Sequence, residues 1–152
     1  MIQSRFRGRS EHTLDEKGRL NFPSRFREVL RQYESETLMI APWGRLHLRV
    51  YPLSGWEILE NKLLTEGREE KDIDRFVRYM VGGVNESSLD KQGRILLSQS
   101  LRQDAGLKKD VVLIGMLDWI EIWDKESWIR ENAATGESFD GFRESLSRLG
   151  IF

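Results

Sequence analysis

The chain has 152 residues, with 24 lysines and arginines against 25 aspartates and glutamates, and no cysteine. A formal net charge of −1 argues against a uniformly basic nucleic-acid-binding protein, and the lack of cysteine excludes disulfides and cysteine-based zinc sites. No apolar run approaches the roughly 18 to 20 residues of a membrane span, and the N-terminus lacks the apolar segment of a signal peptide. We therefore expect a soluble cytoplasmic protein with no membrane partner.

Positive charge is concentrated at the beginning of the chain. Residues 1–31 hold 8 Lys and Arg against 4 Asp and Glu, a net charge of +4, which leaves −5 for the rest. The first predicted element, an extended segment at residues 6–9, would place Arg5, Arg7 and Arg9 on one face, because side chains alternate along a strand. This face is either a solvated sheet edge or a surface that contacts phosphates.

A repeated unit follows this segment. Residues 14–27 recur 75 positions later as residues 89–102, with identical residues at four offsets and apolar residues at three more. Because about 75 residues is near the small end of what folds alone, the repeat predicts two similar halves paired in one domain. The identical pairs are Leu14/Leu89, Asp15/Asp90, Gly18/Gly93 and Arg19/Arg94, and the apolar pairs are Leu20/Ile95, Phe22/Leu97 and Phe26/Leu101.

The centre of each copy predicts a tight turn. Asp15 can accept hydrogen bonds from amides of the turn, and Gly18 supplies the left-handed conformation that closes a type I turn. Arg19, directly after the glycine, should leave the turn on the face opposite that of Leu20. The pattern Asp-x-x-x-Arg therefore predicts a rigid loop that presents a guanidinium group.

The first half continues as one β-α unit, a hairpin and two helices. Pro23 ends the strand after the turn, and Ser24 is the predicted N-cap of a short helix. Gly82-Gly83 ends the last helix and opens the second half. The predicted strands are residues 38–40 and 46–51, with Leu46, Leu48 and Val50 facing inward, and the predicted helices are residues 26–33, 56–65 and 73–80.

The second half repeats this order. Ser98 and Asp124 are the predicted N-caps of its two helices. The tail from Thr135 carries a helical apolar stripe, Phe139, Phe142, Leu146 and Leu149, which we expect to dock on the body of the protein in preference to a partner. The predicted strands are residues 95–97, 111–114 and 119–123, together with a strand that ends at Leu89.

A catalytic role finds little support in these residues. Asp15 and Asp90 would have to act as paired acids, yet each precedes an arginine by four positions, and that arginine would hold it ionised. His12 and His47 do not have the spacing of metal ligands, and no phosphate-binding loop, nucleophile elbow or zinc-protease motif occurs. We expect no enzyme activity, no metal, no cofactor and no small-molecule substrate.

Binding to DNA fits the repeated loop better. A glycine turn flanked by Lys17 and Arg19 brings the backbone and two cations close to a polyanion, and arginine can also bond bidentately to guanine. The alternative is that Arg19 and Arg94 only form salt bridges with Asp15 and Asp90. Duplication within one chain favours the binding role, because DNA-binding proteins present symmetric elements to repeated half-sites.

Five segments occur in order along the chain, and together they resemble the MraZ family across about residues 5–130. The match is specific because both copies of the repeat and the spacing between them agree. The segments are Phe6-x-Gly8, Leu14-Asp-x-Lys-Gly-Arg-Leu-x-x-Pro23 with Arg27, Tyr51-Pro-x-x-x-Trp56, Leu89-Asp-x-x-Gly-Arg-Ile-Leu-Leu97, and Val111-Val-Leu-Ile-Gly115 followed by Ile120-Glu-Ile-Trp-Asp124.

The resemblance implies a bacterial transcription regulator, acting as a repressor, with the AbrB-like swapped-hairpin fold. It also implies nucleoid-associated, ring-shaped oligomers that bind short direct repeats upstream of their own division and cell-wall gene cluster. Two departures from the pattern are Ser98 in place of Pro23 and Gln92 in place of Lys17. The family's Asp-x-x-x-Arg signature maps onto Asp15/Arg19 and Asp90/Arg94. Together with the strand and turn residues discussed above, the predicted DNA-binding residues are Arg7, Arg9, Lys17, Gly18, Arg19, Gly93 and Arg94, supported by Asp15 and Asp90.

The predicted fold is α+β, with duplicated β-α-β halves interlocked as a swapped-hairpin pseudo-dimer with additional helices. One DNA-binding domain would span residues 1–152, with repeats at about 5–80 and 81–134 and a C-terminal helical tail. The alternative function is an antitoxin-like protein-interaction module of the same fold.

Two further expectations concern the surface. The five tryptophans suggest an apolar surface covered by other copies of the chain. Residues 6–32 carry +3 whereas residues 81–107 carry 0, which predicts that the first copy faces DNA while Arg94 pairs with Asp90 to hold its own loop.

Overall fold

Residues 4–152 are described by a computed structural model, in which eight strands form two antiparallel sheets; residues 1–3 of the predicted domain lie outside it. The strands are β1 (Arg9–Thr13), β2 (Arg19–Asn21), β3 (Leu38–Trp43), β4 (His47–Pro52), β5 (Asn85–Ser87), β6 (Arg94–Leu96), β7 (Asp110–Gly115) and β8 (Ile120–Asp124). The helices are α1 (Ser24–Leu30), α2 (Leu53–Thr65), α3 (Ile73–Met80), α4 (Gln99–Asp104), α5 (Lys125–Glu137) and α6 (Phe139–Arg148).

The larger sheet interleaves the two halves of the chain. Its strand order is β1-β7-β8-β4-β3-β5, so β1 of the first half pairs with β7 of the second, and β5 of the second pairs with β3 of the first. The order reads the same from both edges when each strand is exchanged for its counterpart in the other half. This is the predicted α+β fold, in which duplicated β-α-β halves interlock as an AbrB-like pseudo-dimer.

The smaller sheet, here called the ribbon, consists of β2 and β6, one strand from each copy of the repeat. Leu20 lies opposite Ile95 in its register, and both side chains are buried. Phe22 and Leu97, which follow the two strands, are also buried, so the inner face of the ribbon closes the core. The side chains that alternate with these, namely Arg19, Asn21, Arg94 and Leu96, lie on the outer face.

The predicted helices and strands are present with shifted boundaries, but the predicted N-caps are only partly confirmed. Ser98 is the N-cap of α4, and its hydroxyl accepts a hydrogen bond from the Leu101 amide at 3.2 Å. Ser24 is not an N-cap, because the cap of α1 is Pro23, whose carbonyl accepts the amides of residues 26 and 27. Asp124 occupies the cap position of α5, but its carboxylate accepts the amide of residue 108 instead. Leu46 precedes β4 and is 48% exposed, so the prediction that it faces inward is wrong.

The segment before β1 does not alternate regularly as predicted. Phe6 is fully buried and exchanges backbone hydrogen bonds with Leu117. Gly8 has φ +92°, a conformation that interrupts the extended chain, and β1 begins only at Arg9. Arg5, Arg7 and Arg9 therefore do not form one regular row along a strand.

The tryptophans do not form the exposed surface predicted for them. Trp56 is fully buried, Trp123 is 6% exposed, and the other three are partly buried. Two of these enclose Arg49, whose Cζ lies 3.8 Å from the ring centre of Trp43 and 4.4 Å from that of Trp119. Aromatic side chains thus serve contacts within the chain, because the sheet supplies partners that the sequence pattern alone did not place.

The C-terminal stripe is exposed, so the prediction that it docks on the body is wrong. Neither α5 nor α6 contains a buried residue. Phe139, Phe142 and Leu149 are 58%, 45% and 72% exposed, and Ile151 and Phe152 extend the same apolar tail. Within residues 4–152, no helix is long and apolar enough to cross a bilayer.

Alanine substitution at Gly18 should destabilise the fold more than alanine at Gly44. Both glycines have positive φ, +88° and +75°, which costs roughly 1–2 kcal/mol for alanine. A Cβ at Gly18 would also lie 2.5 Å from the Leu97 carbonyl oxygen, whereas a Cβ at Gly44 meets nothing within 4 Å. We expect Gly18→Ala to lose about 1–3 kcal/mol more unfolding free energy in urea than Gly44→Ala. Equal losses would contradict the close approach of the two copies at this turn.

Candidate nucleic-acid interface

The first Asp-x-x-x-Arg turn is closed by its aspartate. Oδ1 of Asp15 accepts the amides of Lys17 at 2.9 Å and Arg19 at 2.8 Å, and Oδ2 accepts Nε of Arg19 at 2.7 Å. The Gly18 amide donates to the Asp15 carbonyl at 3.0 Å, which is the bond of a β-turn. The predicted turn, including the left-handed glycine, is confirmed.

The second turn repeats this geometry. Oδ1 of Asp90 accepts the amides of Gln92 and Arg94, both at 2.9 Å, and Oδ2 accepts Nε of Arg94, also at 2.9 Å. Gly93 has φ +76° and donates to the Asp90 carbonyl at 2.9 Å. Within residues 4–152, Nε is the only hydrogen-bonded nitrogen of each loop guanidinium, so the two terminal nitrogens of Arg19 and of Arg94 remain available.

Each turn is held against the other copy of the repeat. The Gly18 carbonyl accepts the Leu97 amide at 2.8 Å, and the Gly93 carbonyl accepts the Phe22 amide at 2.9 Å. A side chain at either glycine would collide with an arginine of the opposite copy, Arg102 above Gly18 and Arg27 above Gly93. Gly18 is therefore required by close packing against the Leu97 carbonyl as well as by backbone conformation, whereas at Gly93 the flexible end of Arg27 could move and the positive φ is the stronger requirement.

The ribbon brings the two loop arginines onto one surface. Arg19 lies opposite Leu96 in the register and Arg94 lies opposite Asn21. They share a groove of about 410 Å³, here called the ribbon groove, which is lined by Thr13, Asp15, Arg19, Leu20, Asn21, Gln92 and Arg94. The side chains of Arg19 and Arg94 are 34% and 26% exposed. Two fixed guanidinium groups thus face solvent from a single ribbon.

The pKa values of both loop aspartates are lowered. The amide of Arg19, and then its guanidinium, stabilise the charged carboxylate and lower the pKa of Asp15 to about 2. The amide of Arg94 lowers the pKa of Asp90 in the same way, with help from its guanidinium. Both carboxylates are ionised at neutral pH and cannot act as proton donors there, which removes the acid needed for paired-carboxylate catalysis.

The remaining predicted contacts are not all in the ribbon groove. Lys17 is exposed at the tip of the first turn, next to Gly18. Arg9 begins β1, about 13 Å along the strand from Thr13, and its guanidinium lies 5.5 Å from the ring centre of Trp128. Arg7, which precedes β1, is also exposed. The structure therefore brings Arg19 and Arg94 together but leaves Arg7 and Arg9 outside the groove.

The charge difference between the copies does not lie in the turns. Arg94 makes the predicted ion pair with Asp90, but Arg19 makes the same pair with Asp15, so pairing does not distinguish the loops. Residues 15–19 carry no net charge, whereas residues 90–94 carry +1, because Lys91 stands in place of Glu16 and Gln92 in place of Lys17. The +3 of the first copy comes from arginines elsewhere, among them Arg7 and Arg9.

Sequence reasoning missed Asn21 and Leu96. Each stands two positions after a loop arginine, and this spacing places both on the outer face of a strand. The strand period alone could have identified them. It also missed the cross-packing of Arg27 and Arg102, although these two residues recur at the repeat spacing of 75.

The comparisons with known proteins agree across nearly the whole chain. A family model described as "MraZ protein, putative antitoxin-like" matches residues 5–79 and 80–144. The chain is also similar to two proteins named transcriptional regulator MraZ. The one from Desulforapulum autotrophicum is 40% identical over 148 residues, and the one from Desulfitobacterium hafniense is 42% identical over 147 residues. These alignments cover 96% of this chain and 99% of each relative. The relative from Syntrophobacter fumaroxidans is 38% identical over 146 residues, covering 96% and 97%.

Titration of Asp15 should show how the turn is held. We expect a midpoint near pH 2 in an NMR titration of the side-chain carboxyl carbon. Because the folded-state pKa lies below the unfolded value, the stabilisation is complete above about pH 4 and is lost as pH falls toward 2. Arg19→Ala should raise the midpoint only in part, since the amide of residue 19 remains, and Arg94→Ala should leave it unchanged. A midpoint restored fully to 3.8 in Arg19→Ala would contradict the leading role of the amide.

Proposed function

The chain belongs to the MraZ family, and on that premise we propose that it is a transcriptional regulator that binds double-stranded DNA through the ribbon groove. The observation that carries the proposal is the pair of guanidinium groups fixed on one surface by Asp15 and Asp90. Each aspartate occupies Nε and leaves the terminal nitrogens of its arginine free to donate. Two parallel N–H donors are what guanine O6 and N7, or a phosphate, accept.

The proposed contacts follow from their position relative to the groove. Arg19 and Arg94 are the central contacts, and Lys17 lies beside them. The turn backbone at Gly18 and Gly93 approaches the DNA closely. Arg7 and Arg9, outside the groove, contact flanking phosphates. Because the two turns have the same geometry, both copies engage DNA, in place of the unequal roles predicted from net charge.

The regulatory target is proposed from family membership. The relatives named above are called transcriptional regulators. We extend this to repression of a bacterial division and cell-wall gene cluster that includes the protein's own promoter, through short direct repeats. The protein would then be found with the nucleoid. The ionised state of both loop aspartates supports a binding role over an acid-base enzyme.

The alternative is an antitoxin-like module that binds a protein. The description of the family model and the exposed α6 stripe favour it. A filter-binding assay with promoter DNA and with scrambled DNA, at two salt concentrations, separates the two functions. Selective retention of promoter DNA supports the regulator, and equal weak retention of both DNAs supports the alternative.

We propose that copies of the chain assemble through the C-terminal tail, because the tryptophans make contacts within the chain instead. Phe139, Phe142, Leu146 and Leu149 lie along one face of α6, and three of them are at least 45% exposed. A stripe of this kind is typically covered by another protein surface. Several copies joined in a ring would place several ribbon grooves along spaced repeats and raise the effective affinity.

Removal of either loop arginine should weaken promoter binding to a similar degree. We expect Arg19→Ala and Arg94→Ala each to cost about 1–3 kcal/mol per engaged subunit and to flatten the dependence of log affinity on log salt. That slope changes by about 0.9 for each phosphate that the variant no longer neutralises. Arg75→Ala, which removes an exposed arginine of α3 outside the groove, is the matched control. A weakening confined to Arg19→Ala would show that only the first copy faces DNA.

A charge in the C-terminal stripe should disrupt assembly. Phe142→Glu should reduce the mass measured by light scattering at micromolar concentration, because a carboxylate would be buried in an apolar contact. Ser147→Glu, on an exposed position of the same helix outside the stripe, should leave the mass unchanged. A wild-type protein that is cleanly monomeric at this concentration would refute the proposed ring.

A further inference from the structure

The outer face of the ribbon carries two residues that differ between turns of the same geometry. Each strand presents an arginine and then, two positions later, one further outward side chain: Asn21 after Arg19 on β2, and Leu96 after Arg94 on β6. In the register, Asn21 lies opposite Arg94 and Leu96 lies opposite Arg19. The two positions are thus related by the repeat, and each neighbours the arginine of the other copy.

Leu96 is exposed where its neighbours in the chain are not. It is 53% exposed, whereas Ile95 and Leu97 are 1% and 0% exposed. Single exposed leucines are common on protein surfaces, so its position is the informative part. Leu96 is the apolar member of the outer face of a ribbon that otherwise presents two arginines and an asparagine.

Asn21 is an exposed amide without an internal role. Among residues 4–152, its side chain makes no hydrogen bond, and it lines the same groove as both loop arginines. An asparagine amide offers one donor and one acceptor side by side. This pair matches N7 and N6 of adenine in the major groove.

The dimensions of the ribbon suit this use. Adjacent strands lie about 4.8 Å apart, and a major groove about 12 Å wide admits a two-stranded ribbon. Side chains on the outer face of such a ribbon would reach base edges, and the anchored arginines would fix its depth. A leucine at this depth can contact the methyl group of thymine, which is the apolar feature of the major groove.

We propose that Asn21 and Leu96 are specificity-determining residues of the DNA site, with Asn21 bonding to an adenine and Leu96 packing on a thymine methyl group. This inference rests on the proposed DNA-binding function. It also gives the ribbon a direction. Two identical turns would bind a palindrome equally well in either orientation, whereas an amide on one strand and an isobutyl group on the other distinguish the two ends of a repeat. Such a face requires a repeat whose two ends differ in sequence.

Base analogues test the two contacts separately. In promoter DNA, each thymine of one repeat is replaced in turn by uracil, which removes only the methyl group. Each adenine is likewise replaced by 7-deazaadenine, which removes only the N7 acceptor. For the wild-type protein we expect one uracil position to weaken binding about fourfold, the value for burying one methyl group. One deazaadenine position should weaken binding by roughly 5-fold or more.

The variants Leu96→Ala and Asn21→Ala assign these effects to side chains. Leu96→Ala should bind the normal repeat more weakly and lose its sensitivity to uracil, while keeping its sensitivity to 7-deazaadenine. Asn21→Ala should show the opposite pattern, so each variant is the control for the other. Because both residues are exposed, we expect the variants to fold normally. Circular dichroism melting curves that match the wild type would check this.

Two different failures can be distinguished. If the wild type prefers promoter DNA but no uracil or deazaadenine position matters, or if either variant retains the sensitivity of its own contact, this inference is overturned and the regulator function stands. If the wild type does not prefer promoter DNA to scrambled DNA, the proposed function and this inference are both overturned.

Discussion

The close contact of each turn with the strand end of the other copy is the constraint on which the rest of the structure depends. Gly18 and Gly93 each accept a backbone hydrogen bond from the strand end of the other copy, at 2.8 and 2.9 Å. A side chain at either position would collide with the opposite copy. This contact aligns β2 with β6, and the alignment sets which side chains face the core and which face solvent. The shared surface of Arg19 and Arg94 is a consequence of that register.

The aspartates convert this register into a defined site. A free arginine side chain loses considerable rotamer entropy when it is fixed by a ligand. Here Asp15 and Asp90 hold each guanidinium before any ligand arrives, so part of that cost is met during folding. The ion pairs that looked like an alternative to binding are therefore compatible with it, because they use one edge of each guanidinium and leave the other edge exposed.

The sequence predicted the parts of this fold that local chemistry determines. The glycine turns, the Asp-x-x-x-Arg hydrogen bonds and the Ser98 cap follow from residue types at fixed offsets, whereas the interlocking of the two halves was implied by the family resemblance. Apart from the N-cap of α1, which is Pro23 and not Ser24, the errors concern tertiary contacts. No periodicity shows that Arg49 lies between two tryptophans or that Arg9 faces Trp128. The unequal roles of the two copies, predicted from net charge, stay a prediction, because the charge difference comes from arginines that the fold places away from the turns.

The interleaved strand order has a consequence for synthesis on the ribosome. β1 finds its partner β7 only after 97 further residues, counted from Thr13 to Asp110, have been added. At about 5–20 residues per second, this delay is roughly 5–20 s. β1 remains unpaired during that time, because its neighbour in the sheet, β7, belongs to the second repeat. β3, β4 and β5 can pair once residue 87 has emerged, but every pairing of β1, β7 and β8 needs residues between 110 and 124, so the large sheet is completed late in synthesis.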